Sequence, residues 1–188
     1  MTAAKHIKNS AYLLLVIIAS TSSYTAMAAE KFSAFVDSDG NISSPEDFRA
    51  TMVHLGSWFV PEGAASGFHD VYTEKATVDA FRKTGKFPDG ATLVKELRAS
   101  EAGDYSTGSG VHYATPTVKQ WFVMVKDSKN RFKGNKLWGD GWGWALFKPG
   151  AESKNAASDY KIDCLSCHVP AKDKDWIYTE AYPTLSAK

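Results

Sequence analysis

Thr92-Leu93-Val94-Lys95-Glu96-Leu97-Arg98 is the stretch that decides the fold class. It is short, aliphatic and free of glycine and proline, so it reads as the heart of a strand over 91–98. Strand alternation sends Leu93, Lys95 and Leu97 to one face and Thr92, Val94, Glu96 and Arg98 to the other. The face with two leucines is the better candidate for the core, and Lys95 sits in its middle. A buried lysine is rare, costly and often chemically employed. The competing reading makes Val94 the core position and leaves Lys95 solvated, or snorkelling along its stem.

Working outward, Gly67 to Thr73, Val111 to Ala114, Gln120 to Lys126 and Trp142 to Lys148 are further short runs rich in β-branched and aromatic residues. Each is bounded by Gly, Pro, Asp or Ser. Helix signals are fewer. Ser44-Pro45-Glu46-Asp47 has the form of a helix start, which predicts a helix to about His54 and a stop at Gly56. A second helix is expected over 74–84, with Arg82 and Lys83 in its last turn and Gly85 beyond it. Residues 159–168 read as a third, Gly103–Gly110 and Pro149–Ser158 as loops, and Ala171–Asp175 as a polar turn. Too few helices separate the strands for βαβ units. The expectation is therefore a β-rich α+β domain: an antiparallel sheet with a few flanking helices and a C-terminal CxxCH segment.

The 188 residues are 44% hydrophobic and 23% charged, an ordinary globular composition. Lysine and arginine (22) nearly balance aspartate and glutamate (21), which removes the electrostatic case for nucleic-acid or anionic-membrane binding. Lys5, His6 and Lys8, the apolar run Tyr12–Ala19 and the small-residue site Ala26-Met27-Ala28 have the layout of a secretory signal peptide. Residues 1–28 are read as that leader and 29–188 as a single exported domain. The apolar run is too short to span a bilayer, so no membrane span is expected.

Both cysteines fall in Cys164-Leu165-Ser166-Cys167-His168, a C-x-x-C-H, which is the attachment signature of c-type haem. Residues three apart on a helical turn share a face, so both sulfurs can reach the vinyl groups of one porphyrin. The following histidine then supplies an axial nitrogen to iron. A thioredoxin-like CxxC would want a βαβ context, a zinc site would want more ligands nearby, and a plain disulfide would leave His168 unexplained. The sixth ligand stays open at this stage. Met52, Met124, His54, His69 and His112 are all available, and Met124 reads more simply as a core residue. The cationic run 126–136 reads as a solvated hairpin or as a dock for an acidic electron acceptor.

Phe81-Arg82-Lys83-Thr84-Gly85-Lys86-Phe87-Pro88-Asp89-Gly90 followed by Leu93-Val94-Lys95-Glu96-Leu97 resembles the cytochrome P-460 family. So do Lys126-Asp127-Ser128, Trp144-Ala145-Leu146-Phe147, the CLSCH motif and the 178–185 tail with Tyr182-Pro183. The resemblance runs from about Ser44 to Leu185. It implies an exported, β-rich, homodimeric protein carrying covalent haem c, with Cys164 and Cys167 holding the porphyrin and His168 the iron. It also implies that Lys95 is the lysine cross-linked to the porphyrin edge in members that oxidise hydroxylamine to nitrous or nitric oxide, passing electrons to a periplasmic cytochrome. Relatives called cytochrome c′-β share the fold, lack the cross-link and bind nitric oxide or carbon monoxide. A plain electron carrier is the third possibility.

The chain departs from the family pattern where an arginine is expected before Val71-Tyr72. Here Phe68-His69-Asp70 stands, which makes His69 a candidate base or hydrogen-bond donor on the distal side of the haem. Asp70 and Asp140 are the other candidate bases, and Phe59 and Phe87 the candidate aromatics over the open face.

Overall fold

The computed structural model describes Met1 and residues 32–186. The signal-peptide reading therefore falls, Met1 aside, outside the described residues.

Six strands form one sheet: β1 (Val53–Val60), β2 (Gly67–Thr73), β3 (Thr92–Tyr105), β4 (Gly108–Lys126), β5 (Trp138–Gly139) and β6 (Trp142–Phe147). Their order is β1-β2-β3-β4-β6-β5, and every neighbouring pair is antiparallel. The helices are α1 (Phe48–Thr51), α2 (Lys75–Thr84), α3 (Tyr160–Asp163) and α4 (Leu165–His168), followed by 3₁₀ turns at Val169–Lys174, Thr179–Ala181 and Pro183–Leu185. This is the β-rich α+β architecture expected from the strand signals.

Both faces of the central strands are buried. On one, Val71, Leu93, Met124, Trp142 and Trp144 pack against α2 and the C-terminal segment through Val78, Ala157, Tyr160, Trp176, Ile177, Tyr182 and Leu185. On the other, Val94, Val123, Val125, Ala145 and Phe147 pack against the N-terminal segment through Val36, Ile42 and Phe48. The two readings of Lys95 and Val94 are thus not exclusive, because β3 has no solvent face over this stretch. Glu96 is fully buried on the N-terminal side. It accepts Nε of Arg49 at 2.9 Å, pairs with the Arg49 Nη2, and accepts Trp121 Nε1 at 3.2 Å. A buried carboxylate needs such donors to offset its lost hydration.

Helix α2 ends as expected: Gly85 adopts φ 70°, and its N–H donates to the Phe81 carbonyl at 2.7 Å. Arg82 then reaches the Thr184 carbonyl at 2.7 Å, tying the helix to the C-terminal tail.

Five local expectations are corrected. The helix predicted from Ser44 to His54 shrinks to the single turn α1, because β1 takes residues from Val53 onward into the sheet and Asp47 sits in the left-handed region (φ 47°). Gly56 is no helix stop; it lies inside β1, where a Cβ would meet the Ala181 carbonyl oxygen at 1.9 Å, so the tail can pack there only against a glycine. The runs at 111–114 and 120–126 belong to one strand, β4. Its ladder jumps from Arg98↔Val118 to Ser100↔Ala114 around Pro116, which has no N–H to give. The expected 103–110 loop is only the turn at Ser106-Thr107. The third helix breaks at Cys164 (φ −130°) into α3 and α4.

Arg49→Met removes the ionic partner of a carboxylate that has no access to water. Urea unfolding is expected to show a loss of roughly 3 kcal/mol, whereas a loss below about 0.5 kcal/mol, the scale of an ordinary surface change, would mean that Glu96 is satisfied without Arg49.

Candidate functional site

A cavity of about 520 Å³ opens between the leucine face of β3 and the C-terminal segment. That size falls within the roughly 300–1,000 Å³ usual for small-molecule and cofactor sites. Leu93, Lys95 and Leu97 of β3 line it, as the alternation predicts, together with Phe122 and Met124 of β4 and Trp144 of β6. Trp58 and Val60 of β1 and His69 and Val71 of β2 continue the wall. Cys164, Cys167 and His168 close it from the other side with Ile177, Tyr178 and Tyr182.

His168 is held from behind. Its Nδ1–H donates to the Trp176 carbonyl at 2.7 Å, and its ring meets Trp144 edge-on with centroids 5.0 Å apart. Nε2 is left as the nitrogen free to act as a ligand. Burial, with Lys95 as a smaller cause, pushes the His168 pKa down to about 4, so the ring is neutral and its lone pair available at pH 7. Cys164 is buried and Cys167 exposed; burial pushes the Cys164 thiol up to about 11. The Tyr178 hydroxyl donates to the Cys167 carbonyl at 2.7 Å, and its ring stands edge-on to Trp58.

The Lys95 ammonium lies 4.1 Å from the centre of the Phe122 ring. Among the described residues it has no ion pair or hydrogen bond. Burial holds its pKa below the usual lysine value, which favours the neutral amine. His69 donates Nε2–H to the Ala65 carbonyl at 2.7 Å, leaving Nδ1 with the lone pair. Burial lowers its pKa as well.

The remaining candidates lie elsewhere. Asp70 is on the opposite face of β2 from His69, where it accepts the Ser57 hydroxyl at 2.5 Å. Asp140 sits in the β5–β6 turn and accepts the Tyr160 hydroxyl at 2.9 Å. Phe59 is exposed and packs on Phe68 and His112, while Phe87 is buried between Phe81 and Trp142. None of the four lines the cavity. Of the sixth-ligand candidates, His69 and Met124 line it; Met52, His54 and His112 do not. In the cationic run, Lys126 is paired with Asp175, and Arg131 with Asp89 and Asp127.

Trp58, Tyr178 and Tyr182 are lining residues that the sequence did not mark as part of a site, although Tyr178 and Tyr182 fall in the tail that carries the family resemblance. Trp58 alternates with Val60 in the way a strand requires, but the neighbouring helix signal obscured that strand. Tyr178 and Tyr182 lie in a segment without periodicity, where no local rule assigns a direction.

Among the described residues no three His, Cys, Asp or Glu side chains converge as a metal-ligand set. A free imidazole nitrogen on the rim beside two thiols, in an otherwise apolar cavity, suits a macrocycle that brings its own ring nitrogens. The Trp58 indole N–H, buried in the wall and without a well-formed partner among the described residues, is a further donor for a bound group. Size, apolar walls, a neutral imidazole and two thiols on one rim fit haem, and define a haem-binding protein built on an antiparallel sheet rather than a helical bundle.

The chain belongs to the cytochrome P-460 family, whose model matches residues 45–179. No match was found among curated proteins.

Between pH 6.5 and about 4 the unfolded chain takes up a proton that buried His168 refuses, so unfolding becomes progressively more favourable as pH falls through that window. In protein made without haem, thermal unfolding is expected to show this acid destabilisation, shallower in His168→Gln; identical slopes for the two would mean that His168 is not held neutral by burial.

Proposed function

We propose that this chain oxidises hydroxylamine, to nitrous or nitric oxide, at a haem c bound through Cys164 and Cys167, ligated by His168 and cross-linked to Lys95. The observation that carries this reading is the unpaired Lys95 amine in the same cavity as both thiols and the free His168 nitrogen. A lysine kept without a carboxylate partner, and with its pKa lowered, is poised to act as a nucleophile rather than as a structural charge. When bound, haem supplies an iron centre that accepts electrons from substrate.

The chain's own residues do the rest. The ring contacts of Trp144 and Tyr178 and the Trp176 carbonyl orient His168. Apolar walls exclude water and strengthen the few polar interactions inside. His69 accepts a substrate proton at Nδ1 while Nε2 stays bound to Ala65. Asp163 also borders the cavity, but its carboxylate is engaged by the Ser158 N–H and hydroxyl and the Asp159 N–H. His69 is thus the base the cavity offers.

In this reading residues 1–28 are a leader removed on export, 29–188 form the periplasmic haem domain, and a periplasmic cytochrome takes the electrons. A homodimer is part of the proposal. The two-stranded ribbon of β3 and β4 beyond the rest of the sheet, with Tyr105 and Tyr113 exposed, is the surface that favours it.

One observation favours gas binding instead: neither Asp70 nor Asp140 lines the cavity, and nitric oxide binding needs no base. The ferrous spectrum of exported holoprotein separates the readings. A broadened, strongly red-shifted Soret band, lost in Lys95→Ala, is expected, together with hydroxylamine turnover with an artificial acceptor that falls by about 100-fold in His69→Phe. Fully haem-loaded protein with an ordinary c-type spectrum, unchanged by Lys95→Ala and without turnover, would replace this proposal with nitric oxide binding.

A further inference from the structure

We propose that Lys126 and Asp175 are positioning residues for the axial histidine: their ion pair locks the turn whose carbonyl holds His168 Nδ1, and so sets how strongly His168 donates to the haem iron. The inference rests on the reading of His168 as the haem ligand.

The acceptor of the His168 N–H is the carbonyl of Trp176, a residue in the left-handed region at φ 67°. Asp175 before it is left-handed too, at φ 57°. Neither is glycine, and successive left-handed residues with Cβ atoms persist only where the surroundings over-determine them. A relaxed turn would aim that carbonyl elsewhere.

The clamp on this turn comes from the sheet. Lys126 Nζ donates to Asp175 Oδ1 at 2.6 Å, with the lysine side chain only 13% exposed. Trp142 Nε1 donates to the Asp175 main-chain oxygen at 3.0 Å and lies 3.2 Å from Oδ1. Lys126 and Trp142 are register partners on β4 and β6, and the Lys126 ammonium stands 4.8 Å from the centre of the Trp142 ring. The Trp176 N–H closes the turn on the Ala171 carbonyl at 2.9 Å. Two adjacent strands thus grip one carboxylate, and the next residue's carbonyl grips the imidazole.

Donation from Nδ1–H to a carbonyl makes the opposite nitrogen a more basic ligand, and axial-ligand basicity is one of the protein's levers on haem potential. If the clamp loosens, His168 donates less, and ferrous iron is favoured over ferric.

Asp175→Asn tests this with little backbone perturbation, since asparagine tolerates the left-handed region and keeps an acceptor for Trp142. It is compared with Lys126→Met, which removes the cation, and Lys126→Arg, which keeps it. Resonance Raman of the ferrous holoprotein reads the iron–histidine stretch, redox titration reads the potential, and pyridine haemochrome spectra read covalent attachment. Asp175→Asn and Lys126→Met are expected to lower the stretch and raise the potential, with Lys126→Arg close to wild type. Covalent haem with wild-type stretch and potential in the Asn and Met variants overturns the inference and leaves the haem reading intact. So does accumulation of Lys126→Arg as holoprotein while neither Asn nor Met variant folds, which would make the pair a folding contact only. Wild-type protein that carries no covalent haem overturns both.

Discussion

Strand β3 must serve two buried layers with successive residues. Lys95 faces the cavity and Glu96 the opposite core, so a half-buried amine and a fully buried carboxylate stand back to back. They are handled differently. Glu96 has Arg49 and the Trp121 indole, which together offset the cost of its burial. Among the described residues the Lys95 ammonium has an aromatic ring for a partner and no ion pair, and burial lowers its pKa. The sheet around it depends on this asymmetry: the Glu96 side is a structural layer, and the Lys95 side is the site.

That site is assembled from distant parts of the chain. One wall is regular sheet, where alternation dictates direction; the other is a string of short helices and 3₁₀ turns with little periodicity of its own. Specific bonds hold the irregular wall to α2 and to the sheet: Arg82 of α2 on the Thr184 carbonyl, Lys126 and Trp142 on Asp175, and Tyr160 stacked on Trp144. A segment without secondary-structure continuity needs such ties to present His168, Cys164 and Cys167 to a single cavity.

The electrostatics of the cavity follow from the burial of its groups. Burial lowers the pKa of Lys95, His69 and His168 alike and raises that of Cys164, so each group is shifted toward its neutral form. Neutral amine and imidazole are the forms that act as nucleophile, base and ligand. Asp70 and Asp140, by contrast, are bound to hydroxyl groups outside the cavity. This leaves the basic chemistry to nitrogen.

The sequence by itself determined what local rules can express. The CxxCH spacing marked Cys164, Cys167 and His168, strand parity put Lys95 with Leu93 and Leu97, and Gly85 ended α2 where a left-handed residue was needed. Tertiary structure decided what depends on distant partners. Whether Val53 and His54 joined a helix or a strand was settled by pairing with β2, and Gly56 was required by the approach of Ala181 rather than by a helix end. Phe59, Phe87, Asp70 and Asp140 had suitable side chains but took other neighbours. The left-handed Asp175-Trp176 turn has no local signal, because its conformation is held by Lys126 and Trp142, which are remote in sequence. Periodicity and spacing act over a few residues, whereas cavity walls and backbone clamps arise only when distant segments bury the same surface.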